Sequence, residues 1–125
     1  MKALNVIDTH GRTLCCDLDL RPALDADAAA ELTSDLDVLA HPIRLQLLAV
    51  LAASASPVCV CDLEASVPVK QPTVSHHLKL LRAAGLVDSE KRGLWAYYHV
   101  RRDELARLRR RIDGDLGRLT GGEDE

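Results

Sequence analysis

Residues 71–86, QPTVSHHLKLLRAAGL, decide how the rest of the chain is read. Pro72 suits the first turn of a helix, where its missing N–H loses no hydrogen bond. Gly85 suits the position just past the helix end. Between them Val74, Leu78 and Leu81 recur at i, i+4 and i+7, so one face packs inward. At about 100° per residue, Pro72, Thr73, His76 and Lys79 point the other way, with Ser75 at the edge. An outward row of short hydrogen-bonding groups and one cation matches what a recognition helix needs to touch base edges in a major groove. An ordinary amphipathic surface helix would show the same periodicity, so the next segment has to decide.

Residues 86–90, LVDSE, read as a strand, 91–94 as a turn, and 95–100, WAYYHV, as a second strand. The only tryptophan and both tyrosines lie in that second strand, in a chain without phenylalanine. A helix followed by a two-stranded ribbon whose tip carries Lys91 and Arg92 has the form of a winged helix-turn-helix, mainly α with a small β-hairpin. Gln71, Thr73, Ser75, His76 and Lys79 are the candidate contacts in the groove, with Lys91 and Arg92 over phosphate. Double-stranded DNA is the expected partner.

The net charge of −3 and pI near 5.9 seem to oppose that partner, but the distribution restores it. Residues 1–65 carry −6, residues 66–111 carry +7, and residues 112–125 carry −4. The positive block coincides with the recognition helix, the wing and the start of the next helix, and a local basic footprint is what counterion release uses. With 125 residues, one domain is expected. The opening MKALNVIDTHGR has no long apolar run, so neither a signal peptide nor a membrane span is expected, and a cytoplasmic location follows. Four cysteines in such a chain point to metal or redox chemistry before structural disulfides.

Taken in order, residues 1–24 read as an irregular arm carrying Cys15-Cys16, and residues 25–119 as the winged domain with helices at both ends. Residues 120–125 form an acidic tail. In 25–39 Ala28, Leu32, Leu36 and Leu39 are spaced by fours and a three, with Asp25 or Asp27 as the cap. His41-Pro42 breaks that pattern, and 43–53 resumes it as a helix apolar nearly all round, hence central. Cys59 opens a short helix that stops before Pro68; with the recognition helix it makes the helix-turn-helix. Lys70 stands where a capping residue would serve better, so that helix start is weakly capped. His76 faces outward, while His77 falls near the apolar face and reads as packed and hydrogen-bonded. In 103–119 Leu105, Leu108, Ile112, Leu116 and Leu119 form a stripe of period near 3.5. Together with Leu32 and Leu36 that stripe reads as the interface of a homodimer. Pairing of the first and last helices within one chain is the alternative.

Four blocks now carry a resemblance: LAHPIRLQLLAVL (39–51), VCVCDL (58–63), QPTVSHHLKLLRAAGLV (71–87) and KRGLWAYYHV (91–100). In order and motif they resemble the ArsR/SmtB metal- and metalloid-responsive winged-helix repressors, over about residues 28–112 in unbroken register. The resemblance implies a homodimer bound to an operator upstream of its own resistance operon, released when an inducer binds the protein. Cys59 and Cys61 match the two-cysteine motif that carries inducer thiolates in the arsenic sensors and cadmium/lead sensors of the family. In a regular helix positions i and i+2 lie about 200° apart. The two cysteines therefore share one ion only if Cys59 precedes the helix in extended geometry, or if binding distorts the first turn. A helix N-terminus is expected to favour the thiolate that ligation requires.

A third cysteine often found three residues after the second is Glu64 here. Cys15-Cys16, a vicinal pair that some arsenic sensors of the family carry, stands in its place. The resemblance thus implies a site between subunits, Cys15 and Cys16 of one arm with Cys59, Cys61 or both of the other chain. Trivalent arsenic or antimony would take three thiolates in a pyramid; cadmium or lead would use three or four. The family's second site uses Asp and His on the last helix for zinc, cobalt or nickel, and residues 103–119 contain no histidine. A thiol-redox switch on the same module is a further alternative. No catalytic triad, phosphate loop or acid/base pair is present, so neither an enzyme nor a catalytic cofactor is expected.

Overall fold

The computed structural model describes residues 20–121. In chain order it contains α1 (Ala26–Leu39), α2 (Pro42–Ala53), β1 (Val58–Cys59), α3 (Val60–Ala65), α4 (Gln71–Ala83), β2 (Val87–Arg92), β3 (Trp95–Val100) and α5 (Arg102–Leu119). The architecture is a winged helix-turn-helix, as the sequence predicts. The greater part of the arm, with Cys15 and Cys16, and most of the acidic tail lie outside the described residues.

Each helix boundary has a local cause. Asp25 caps α1, its carboxylate accepting from the Ala28 N–H at 2.8 Å, so Asp25 rather than Asp27 is the cap. His41 caps α2 through Nδ1, which accepts from the Ile43 N–H at 3.1 Å, and Pro42 fills the first turn. Lys70 gives α4 no side-chain cap. At the other end of α4 Gly85 adopts φ 81°, and the Leu86 N–H reaches the Leu81 carbonyl at 3.0 Å while the Gly85 N–H reaches Arg82 at 2.9 Å. These two bonds define a Schellman stop, which needs the left-handed backbone that glycine allows. Leu81 and Leu86, which flank the stop, are both buried in the same core.

That core is aliphatic: Leu47, Leu51, Leu63, Val74, Leu78 and Leu81 are the fully buried side chains. It gathers α2, α3 and α4 against Leu86 before the sheet, Val87 and Val100 within it, and Leu108 of α5. The central place of α2 is as expected, though Leu45 remains 50 % exposed, so the helix is not buried on every side. Arg102 of α5 donates to the carbonyls of Ala52 and Ser54, satisfying the end of α2.

The sheet departs from expectation in two ways. It has three antiparallel strands in the order β1-β3-β2, because Val58 and Cys59 pair with Tyr98 and Tyr97. The ribbon also runs further than expected, Lys91 pairing with Ala96 and Arg92 with Trp95, so only Gly93 and Leu94 form the loop. Gly93, with φ 65°, permits this tight connection. Lys91 and Arg92 therefore belong to a strand, and the tip itself carries Leu94, 91 % exposed.

Helices α1 and α5 pack together within one chain. Arg111 forms a bidentate pair with Asp35, both contacts 3.1 Å. Leu32 and Leu108 are buried inside the protomer, Leu105 and Ile112 are partly buried against its core, and Leu36 and Leu116 are exposed. Part of the stripe assigned to a dimer interface is thus already used by the alternative weighed above, pairing within the chain.

Leu47→Ala should lower the unfolding free energy by about 2–5 kcal/mol, because a rigid aliphatic core closes poorly over the cavity. Urea denaturation followed by circular dichroism measures the loss.

Candidate nucleic-acid interface and thiol pair

Helix α4 divides cleanly into two faces. Val74, His77, Leu78 and Leu81 are buried, and Gln71, Thr73, Ser75, His76 and Lys79 are exposed together. The inner face grips α2 and β2, so the outer face is held rigidly where a groove could receive it. Lys70 supplies no side-chain cap, and its carbonyl accepts from the Thr73 N–H at 3.0 Å and the Val74 N–H at 3.1 Å, while Pro72 has no N–H to satisfy.

On the wing Lys91 and Arg92 are exposed. Arg92 is not a free cation: its Nε donates to Glu90 at 2.6 Å, and its guanidinium lies 4.6 Å from the centre of the Tyr97 ring. Both contacts hold it upright on the strand. The Glu90 pair is half exposed on each side, so solvent screens it and a phosphate can compete for the guanidinium.

The thiol pair sits behind this surface. Cys59 is the N-cap of α3, with φ −62° and ψ 140°, and is extended because it belongs to β1. Cys61 is the second residue of α3, and the two Sγ atoms stand 2.7 Å apart. The extended geometry that lets positions i and i+2 share a ligand is therefore present without distorting α3. Cys59 is buried and Cys61 exposed, so the pair opens to solvent on one side. The expectation that the helix end favours thiolate is overturned for Cys61. Its thiol is held above the ordinary value by the hydrogen bond to Cys59, then by slight burial and by the negative charge of Cys59 and Asp62. One six-residue helix offers too small a dipole to offset a second sulfur at contact distance.

Among the described residues no group of three or more His, Cys, Asp or Glu side chains is placed to hold a metal ion. Cys59 and Cys61 can supply two sulfur ligands, and a third donor must come from elsewhere. Cys15 and Cys16, named for that role, fall outside the described residues, as does His10. His41 is a helix cap, and His77 is buried and bonded to Arg44 at 3.1 Å. Sequence reasoning missed β1 and the partner of His77: a strand of two residues leaves no periodic signal, and nothing local pairs residues 44 and 77.

The signature described as "Bacterial regulatory protein, arsR family" matches residues 41–89. An HTH-type transcriptional regulator of Methanocaldococcus jannaschii is 38% identical over 72 residues, 58% of this chain and 80% of that protein. The chain belongs to the ArsR family. A putative arsenical resistance operon repressor of Halobacterium salinarum is 44% identical over 75 residues, 60% of this chain and 63% of that one. Among solved structures, a possible transcriptional regulator for arsenical resistance superposes with a TM-score of 0.59 at 34% identity, covering 73% of this chain and 97% of that one. The protein is thus an ArsR/SmtB-type transcriptional repressor, from a family of regulators that bind operator DNA. No single helix among the described residues is long and apolar enough to cross a membrane.

Thr73→Ala and His76→Ala should each weaken operator binding by about 1–3 kcal/mol, the range for a lost base contact. Fluorescence anisotropy on a promoter fragment reads the change. In the thiol pair, Cys59→Ala removes the first cause of the raised Cys61 value. Cys61 should then be alkylated at lower pH than in the native protein, as resolved by peptide mass spectrometry across pH 7 to 10.

Proposed function

We propose that this repressor senses trivalent arsenic or antimony through cysteine thiolates and leaves its operator when the metalloid binds. The observation that carries the reading is the extended Cys59 capping α3 with its sulfur 2.7 Å from that of Cys61. A tetrahedral ion with sulfur ligands at about 2.3 Å would hold its sulfurs roughly 3.8 Å apart, so the pair would have to open by about 1 Å. A pyramidal three-coordinate metalloid, whose bond angles are compressed by its lone pair, asks for less opening. Cadmium or lead on the same soft donors is the second reading.

Release follows from where the pair stands. Cys59 is in register with Tyr97 of the wing, and α3 leads directly into the turn before α4. Drawing the two sulfurs around an ion shifts β1 and the first turn of α3 together, which moves the wing and the recognition helix relative to each other. Ligation releases thiol protons, so induction strengthens as pH rises. In the proposed dimer, Leu36 and Leu116 meet the second copy, with Leu32, Leu105, Leu108 and Ile112 backing that surface. Cys15 and Cys16 of one arm complete the thiolate set of the other chain.

The test is release from the protein's own promoter fragment under reducing conditions, titrated in parallel with arsenite, antimonite, Cd(II), Pb(II) and Zn(II). Arsenite and antimonite should act at the lowest concentrations. Release first by Cd(II) or Pb(II) selects the soft-cation reading, and indifference to all five selects a redox switch of the thiols. Cys15→Ser with Cys16→Ser should keep operator binding and raise the inducer concentration needed; release at wild-type levels would remove the arm from the site.

A further inference from the structure

A second device lies away from the thiols, at the junction of α1, α2 and α4. Arg44 is 8 % exposed and, among the described residues, pairs with no carboxylate. Its Nε donates to the Val38 carbonyl at 2.7 Å and its Nη2 to the Asp37 carbonyl at 2.8 Å. Both carbonyls belong to the last turn of α1, the negative end of that helix, which offsets a buried cation. Its Nη1 stands 3.1 Å from Nδ1 of His77, on the buried face of α4. One side chain of α2 therefore joins the end of α1 to the recognition helix.

A guanidinium has only donors, so the third contact requires a lone pair on Nδ1. His77 is accordingly the neutral tautomer with its proton on Nε2. The His41 ring lies 4.2 Å from the His77 ring, and its Nδ1 is also an acceptor, from Ile43. The groups bearing on His77 are all basic: His41 and Arg44 from α2 and its cap, and His76 on α4 itself. The carboxylates nearest in the chain on neighbouring elements are Asp37 on α1, Asp62 and Glu64 on α3, and Asp88 and Glu90 on β2. None makes a hydrogen bond or ion pair with His77 among the described residues. Burial first, then those positive charges, hold His77 below its ordinary value.

We infer that Arg44 and His77 form a joint that holds α4 in its operator-binding position, and that protonation of His77 opens the joint and releases DNA without any thiol ligand. His77 is a positioning residue, and the inference rests on operator binding through α4. A proton on Nδ1 sets donor against donor and adds a second cation beside Arg44, with no carboxylate to receive it. Since the folded protein takes up this proton less readily than the unfolded chain, the joint is fully present above the ordinary histidine value of about 6.5 and is lost as pH falls through the lower value that His77 has in the fold. The sign is diagnostic, because acid otherwise makes a protein more positive and tightens its hold on DNA.

The experiment is operator affinity by anisotropy at constant ionic strength from pH 7.5 to 5.5, with a histidine-selective NMR spectrum of the free dimer or monomer. The native protein should lose about fivefold or more in affinity, the lower end of a usual coupling between sites. His77→Asn, whose Oδ1 can replace the Nδ1 acceptor and does not titrate, should flatten the profile whatever its affinity at pH 7.5. His76→Gln, which removes the titrating group on the outer face, should leave the acid loss in place. The spectrum should show His77 with its proton on Nε2 at pH 7.5. Native affinity that is flat or rises towards pH 5.5, or a His77 proton on Nδ1, overturns the inference, and the spectrum decides even if His77→Asn does not fold. Absence of operator binding at every pH overturns the DNA-binding reading beneath it.

Discussion

The direction of every side chain on the exposed face of α4 depends on burial of the other side of that helix. Val74, Leu78 and Leu81 are sealed in one core with Leu47, Leu51 and Leu63, and these six are the largest fully buried side chains among the described residues. A helix fixed along one face by three aliphatic residues has little freedom to roll, so its outer residues keep fixed directions. That is a requirement of groove recognition, where a bidentate contact tolerates small errors only. The core contains no phenylalanine and gains its area from leucine and valine, which pack in well-defined rotamers but bury less per residue than aromatic rings. Small shifts of its neighbours are thereby transmitted to α4 rather than absorbed, since close-packed interiors carry strain.

Two of the elements packed against α4 carry chemistry of opposite kinds. On one side α3 begins at a sulfur pair whose first member is a strand residue, so its position is set by the wing and by the helix at once. On the other side α2 carries a buried cation whose three contacts are all to acceptors, two from a helix end and one from an imidazole. The first is soft and half exposed; the second is hard, enclosed and silent to thiol reagents. Neither requires the outer face of α4 to change, which leaves base contacts and control to be set by different residues.

How much of this is legible in the sequence follows the range of each interaction. The spacing of Val74, Leu78 and Leu81 gives the recognition helix, and Pro72 and Gly85 give its ends, because those rules act within a few residues. His77 reads as buried and hydrogen-bonded for the same reason. Its partner does not, since Arg44 lies 33 residues away and the pairing exists only once α2 and α4 have packed. Strand β1 escapes because two residues show no period; they form a strand only by borrowing hydrogen bonds from β3. The stripe on α5 reads as one surface along the sequence. In the fold it divides by depth, with Leu108 buried inside the chain, Ile112 partly buried against its core and Leu116 exposed. The raised Cys61 thiol runs against a correct local rule that a nearer sulfur outweighs.

The sulfur separation bears further on how induction would work. At 2.7 Å the Cys59 sulfur is the first cause that holds the Cys61 thiol above its ordinary value. An ion that takes both sulfurs replaces that contact and gains two bonds in the same step. The affinity then depends on how far the backbone must open to seat it. Opening falls on Cys59, whose strand bonds to β3 are few, rather than on α3, which is tied by Leu63 to the core. On the proposed reading the wing would yield before α4. A ligand at the thiols would first shift Lys91 and Arg92, the residues proposed to meet phosphate, while α4 would stay seated until the turn at 66–70 followed. Phosphate contacts would weaken ahead of base contacts, so release begins in the salt-dependent part of the affinity.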